Sequence, residues 1–149
     1  MSPERVQLPV LKLKPRHDKR LRAGHVWIYS NEIDTGRSPL KSFQPGQAVT
    51  VLSSGGQPVG TALVNPQALI CARIVSSAPN ALLDEQWLRD RLESALQLRQ
   101  RFFDEPYYRW VYGDSDGLPG LVIDRFDSVL VVQANTVAMD LREAQLISV

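Results

Sequence analysis

Residues 47–64 read Gln47-Ala48-Val49-Thr50-Val51-Leu52-Ser53, then Ser54-Gly55-Gly56, then Gln57-Pro58-Val59-Gly60-Thr61-Ala62-Leu63-Val64. Two β-rich runs on either side of a Ser-Gly-Gly turn predict a hairpin, and Asn65-Pro66 ends the second run. Hardly a charge falls between Ser42 and Ala72, so these strands must be covered. Upstream, Leu8, Val10, Leu11 and Leu13 alternate with Lys12 and Lys14 up to Pro15, which predicts a strand over 8–15. A short helix over His17–Arg22, stopped by Gly24 as a left-handed cap, and a strand over Val26–Ile33 follow. Leu69–Val75 is a further strand. About five short strands and one helix in under 80 residues are best buried as a small closed or half-closed barrel, which leaves no exposed sheet edge.

The polar break Ser76-Ser77-Ala78-Pro79-Asn80 is the expected boundary, giving domains over 1–75 and 80–149. Asp84 is placed to cap a helix running to about Asp104, with Leu88, Leu92, Ala95, Leu96, Arg99 and Phe103 at helical spacing. Strands Tyr108–Tyr112, Leu121–Asp124 and Val129–Ala134 form a meander, with a turn at Phe126-Asp127-Ser128, and a helix begins at Met139. The fold class is therefore α+β: a small mixed β pseudo-barrel, then a helix and an incomplete α/β domain with a β-meander. A lone three-stranded sheet with one uncovered face is marginal. The expectation is that these residues are the front of a longer protein.

The net charge of +1 conceals an asymmetry. Residues 1–80 hold ten Lys or Arg against four Asp or Glu, whereas residues 81–149 hold seven against twelve. Lys12, Lys14, Arg16, Lys19, Arg20 and Arg22 crowd one stretch opposed only by Asp18, a pattern that suits either a solvated face or a polyanion-binding one. Lys and Arg would meet phosphates and Gly24 would admit a close backbone. Trp27 and Tyr29 have two readings, stacking on an unpaired base or burial in the barrel core, and burial is the commoner fate of a strand aromatic. The candidate RNA-binding residues are thus Lys12, Lys14, Arg16, Lys19, Arg20, Arg22, Gly24 and His25, with Lys41 and Arg73 as possible additions. No run reaches the roughly 20 apolar residues of a membrane span, and no apolar segment follows the charged start, so a cytoplasmic protein is expected.

Catalytic signals are weak. Cys71 is the single cysteine and lies among Leu69, Ile70, Ala72 and Ile74, where a buried inert thiol is expected. His17, His25, Ser30 and Asp34 are near one another only in sequence. Gly113-Asp114-Ser115-Asp116-Gly117-Leu118-Pro119-Gly120 is too rich in glycine and proline for a helix or a ladder. As a calcium loop it has glycine at the fourth position and Arg125 at the twelfth, which is the wrong spacing. Its glycines do not match a dinucleotide fingerprint. It reads as a connector between strands, with Asp114 and Asp116 accepting from loop amides or from Arg109 and Arg125. No catalytic, metal or cofactor site is expected in this chain.

Several segments together resemble a known family: Leu13-Lys14-Pro15, Asp18-Lys19-Arg20, Gly24-His25-Val26-Trp27-Ile28-Tyr29-Ser30-Asn31-Glu32-Ile33, and Gly113 through Leu121-Val122-Ile123-Asp124-Arg125-Phe126. They are similar to the bacterial S-adenosylmethionine-dependent methyltransferases that modify a cytosine C5 in 23S ribosomal RNA. That resemblance implies an RNA-binding PUA domain over residues 1–75 and most of an α/β connecting domain over 80–149. It also implies a Rossmann-like methyltransferase domain beyond these residues, carrying the S-adenosylmethionine site and the catalytic cysteine. Cys71 does not match that cysteine. Two rivals stand beside this reading: a stand-alone PUA-type RNA-binding module, and another PUA-bearing RNA-modification enzyme such as a pseudouridine synthase or transglycosylase.

Overall fold

The computed structural model describes residues 6–149. Its contacts divide the chain between Leu82 and Leu83 into two compact units. The first holds strands β1 (Val10–Lys12), β2 (Trp27–Tyr29), β3 (Ala48–Leu52), β4 (Pro58–Val64) and β5 (Ile70–Ser76), with helix α1 (Lys19–Arg22) between the first two. They make one sheet in the order β1-β3-β4-β5-β2. β1 runs parallel to β3 and every other pair is antiparallel.

The sheet curls because its two edges meet just past the edge strands. Leu13 bridges Ile33, the Lys14 amide donates to the Glu32 carbonyl at 2.9 Å, and the Asp34 amide donates to the Lys12 carbonyl at 2.9 Å. Leu11, Leu13, Ile28, Ile33, Val49, Val51, Val64, Cys71 and Ala72 fill the interior, with Leu21 of α1 and Phe43 sealing it. The hairpin forms where its residues place it. Gly56 takes φ 84°, and the Ser53 amide donates to the Gln57 carbonyl at 2.9 Å. Pro58 opens β4, where a missing N–H is tolerated.

Two strands are shorter than their sequence patterns predict. β1 ends at Lys12, and its free edge is served by a side chain instead of another strand. The Ser38 hydroxyl accepts from the Lys12 amide at 2.9 Å and donates to the Val10 carbonyl at 3.1 Å. The expected strand over Val26–Ile33 survives only as Trp27–Tyr29. The Glu32 carboxylate accepts from the Tyr29 amide at 2.8 Å and folds Ser30–Glu32 into a 3-10 turn. The 76–80 segment is tied to the barrel: the Asn80 side-chain oxygen accepts from the Leu8 amide and from Thr50 Oγ1. Thr61 Oγ1 likewise donates to the Ala78 carbonyl and accepts from the Ala81 amide.

The second unit contains α2 (Glu85–Gln100), then the antiparallel meander β6 (Tyr107–Tyr112), β7 (Leu121–Phe126) and β8 (Val129–Ala134). Two short helices follow, α3 (Val137–Asp140) and α4 (Glu143–Ser148), where one helix from Met139 was expected. Asp84 caps α2 by accepting from the Trp87 amide at 2.9 Å, and Thr136 caps α3. Leu88, Leu92 and Ala95 of α2 are buried, as are Tyr108, Val111, Leu118, Leu121 and Ile123.

Three expectations fail here for identifiable reasons. The alternation of Tyr108, Trp110 and Tyr112 in the sequence predicts one apolar face for this strand, and they do not share one. The ladder slips between Arg109 and Val111, so Trp110 is the extra residue of a bulge; Val111 turns inward and Tyr112 is 59% exposed. The glycine-rich stretch is partly helical: Gly113–Asp116 form a 3-10 turn that Gly117 ends at φ 71°. Asp116 bonds neither Arg109 nor Arg125. Its carboxylate receives two bonds from the Arg99 guanidinium, at 3.1 and 2.7 Å, and one from the Tyr112 amide at 2.7 Å. Arg109 instead meets Asp124, and Arg125 meets the Tyr108 hydroxyl.

Candidate nucleic-acid interface

The basic stretch runs from β1 through a turn into α1 and on to β2. Pro15 starts the turn, and the His17 amide donates to the Lys14 carbonyl at 3.3 Å. Arg16 sits at φ 69° with its side chain exposed. That is the left-handed region, where a side chain costs roughly 1–2 kcal/mol. α1 then stops as its sequence dictates. The Gly24 amide donates to the Leu21 carbonyl, and Gly24 takes φ 107°, turning the chain into β2.

The eight candidates do not form a uniform cationic surface. Lys14, Arg16, Lys19, Gly24 and His25 are exposed, and Lys12 is half-buried on β1. Arg20 is half-buried and Arg22 is exposed, but both guanidinium groups are engaged in bonds within the protein. Arg20 Nη2 reaches both Glu32 carboxylate oxygens at 3.0 Å and the Trp27 carbonyl at 2.9 Å, while its guanidinium lies 5.5 Å from the Tyr29 ring centre. Arg22 pairs with Asp18 at 2.8 Å and donates to the Pro58 carbonyl.

Glu32 is the pivot of this arrangement, although the sequence sets it in the polar run Ser30-Asn31-Glu32 with nothing to mark it as buried. Its residue surface is only 8% exposed. Burial works to raise its pKa, but the Tyr29 amide, the Arg20 guanidinium and His17 together hold it below the usual value. His17 Nδ1 lies 3.4 Å from the same carboxylate. Glu32 thus fixes the approach of α1 to β2.

Trp27 is not in the core. It is 41% exposed, and Ile28 is the residue of β2 that points into the barrel. Its neighbour across the sheet is Arg73 on β5. Across β2 and β5 the Trp27 ring and the Arg73 side chain therefore stand at paired positions.

Burial pushes the Cys71 thiol up to about 11, so it is not a thiolate at neutral pH. Among the described residues no three His, Cys, Asp or Glu side chains gather as metal ligands. The strand-to-helix turns at 13–18, 77–84 and 135–136 contain no glycine, so they do not fit the phosphate- or ribose-approaching turn of an adenosine cofactor fold. Among the described residues no helix is long and apolar enough to cross a membrane.

Residues 11–77 match the family model of the PUA-like domain, so the first unit is of that class. The chain as a whole is homologous to ribosomal RNA large subunit methyltransferases. It is 35% identical over 126 residues to ribosomal RNA large subunit methyltransferase I of Alteromonas mediterranea, covering 81% of this chain and 30% of that protein. It is 31% identical over 144 residues to the ribosomal RNA large subunit methyltransferase of Deinococcus radiodurans, covering 92% and 34%. The chain spans about a third of the length of these curated relatives. In fold it is similar to a protein from Streptococcus mutans described as a SAM-dependent methyltransferase, with TM-score 0.75, 17% identity, and coverage of 95% of this chain and 36% of that one.

Proposed function

We propose that this chain holds ribosomal RNA for methylation of the large subunit. The observation that carries the reading is the coincidence of a PUA-like domain over residues 11–77 with relatives named for that reaction over most of the chain. The first unit supplies the contacts. Lys12, Lys14, Arg16 and Lys19 neutralise phosphates, Gly24 and His25 allow close approach of the backbone, and Arg20 and Arg22 hold the surface in shape. We assign residues 1–75 to RNA binding and 80–149 to connecting that module with the catalytic part of the enzyme.

In this reading the target is 23S RNA in the cytoplasm, and the product is a C5-methylated cytosine. The methyl donor, S-adenosylmethionine, and the nucleophilic cysteine belong to the part of the relatives that this chain does not match. Cys71 takes no part, because burial keeps it protonated. Filter binding of the 149-residue chain to a 23S RNA fragment across a salt series tests the binding half. Salt-dependent binding is expected. Parallel titration with S-adenosylmethionine should give no heat, and micromolar cofactor binding would overturn the division of labour.

A further inference from the structure

We propose that Trp27 is a stacking platform for an unpaired base, so that the module prefers single-stranded RNA to duplex. This rests on the RNA-binding reading above and narrows it to a substrate class. Four observations converge on the residue. A large aromatic side chain on an edge strand is 41% exposed, although the neighbouring Ile28 is fully buried in the barrel. A tryptophan exposed to this extent on a barrel wall forgoes part of the burial that such a side chain ordinarily gains.

The backbone beneath the ring is held fast. Arg20 Nη2 donates to the Trp27 carbonyl at 2.9 Å and to Glu32, which in turn accepts from the Tyr29 amide. The register shifts one residue further on, between Ile28 and Tyr29, and Tyr29 then pairs with Ile70. The ring is therefore presented from a rigid, cross-braced strand. Finally, basic residues border this position in the fold. Arg73 is the residue opposite Trp27 on β5, and exposed His25 lies two residues before it in sequence. α1, which carries exposed Lys19, is tied to β2 through Arg20.

A partly exposed ring, with Arg73 opposite it in the sheet and basic α1 braced to its strand, suits a nucleobase whose phosphate is held alongside. Every base has a π-face, but only an unpaired one offers it to a side chain. Base pairs in a duplex keep their faces stacked on each other. The same geometry redefines Arg20. Its guanidinium is spent on Glu32 and the Trp27 carbonyl, so it acts as a positioning residue for the ring and not as a phosphate ligand.

The test uses Trp27→Ala and Trp27→Phe in the 149-residue chain, with single-stranded and duplex RNA of matched length. Thermal melts accompany both variants; the side chain lies off the core, so both should fold. Trp27→Ala is expected to weaken single-stranded binding about tenfold, with duplex binding and the salt slope unchanged. Trp27→Phe, which keeps a π-face, should stay within about threefold of wild type, and should lose the RNA-induced quenching of tryptophan fluorescence. Unaltered single-stranded binding in Trp27→Ala, with wild-type binding intact, overturns the platform and leaves the RNA-binding reading standing. Equal loss on both RNAs, or a changed slope, also overturns it. Absence of RNA binding by the wild type overturns both.

Discussion

Arg16 offers a test in which stability and function should move in opposite directions. Its φ of 69° lies in the turn that Lys14 and His17 close, at a position where glycine is the natural occupant. Replacing it by glycine relieves a left-handed penalty of roughly 1–2 kcal/mol. Against this, glycine enlarges the conformational freedom of the unfolded chain, at a cost of about 0.4–1 kcal/mol. The net expectation for Arg16→Gly is a gain of about 0.7 kcal/mol, because the exposed Arg16 side chain contributes little burial. For a unit of this size that corresponds to a rise of about 4 °C in Tm. If Arg16 is retained for RNA, the same variant should lose affinity, and the slope of log K against log salt should fall by about 0.7. Circular dichroism melts and a salt series of filter-binding curves measure the two effects on one preparation. A lowered Tm would show that the side chain stabilises the turn. A raised Tm with an unchanged slope would show that Arg16 touches no phosphate.

The remaining predictions concern the supports of the two units. Gly117→Val should destabilise the second unit by well over about 1 kcal/mol, because Gly117 has φ 71° and a Cβ there would come within 2.8 Å of Arg91 Nη1; an unchanged melting midpoint would refute this. Gly60→Ala should be still more damaging in the first unit, since its Cβ would collide with the Ser76 backbone carbonyl on the neighbouring strand, and amide exchange across β4 and β5 would report it. Asp116→Ala should cost roughly 1.5–3 kcal/mol by taking the bidentate partner from part-buried Arg99, which keeps only its bond to the Arg109 carbonyl; urea unfolding measures it. Glu32 has its pKa lowered in the folded state, so the folded state binds fewer protons there than the unfolded state. Its contribution is complete above its ordinary pKa of 4.5 and is lost as pH falls through the lowered value, so Glu32→Gln should flatten the acid limb of stability against pH.

The barrel was legible because its signals are local. The Ser54-Gly55-Gly56 turn, the charge-free stretch and the Gly24 stop each act through their own backbone or immediate neighbours, and the structure keeps all three. What escaped prediction depends on partners distant in sequence. Ser38 ends β1 from 26 residues away in the chain. Arg99 reads as one more position of a helical stripe, yet its guanidinium crosses to Asp116. The bulge at Trp110 inverts the inward face of β6, and nothing in an unbroken alternation announces a slipped register. The candidate interface was half legible. Charge density located the basic segment, but only the fold shows that Arg20 and Arg22 bond to Glu32 and Pro58, acceptors that lie further along the chain. Trp27 was harder still, because burial is the ordinary fate of a tryptophan on a strand.

The central claim is that the exposed cations of the first unit grip RNA phosphates while the bonded ones shape the surface. The most direct measurement compares the salt dependence of 23S RNA-fragment binding in wild type and in a chain with Lys14, Arg16 and Lys19 all replaced by Ala. Losing three phosphate contacts on single-stranded RNA should reduce the slope by about two, with Tm held. A slope equal to that of wild type would contradict the account.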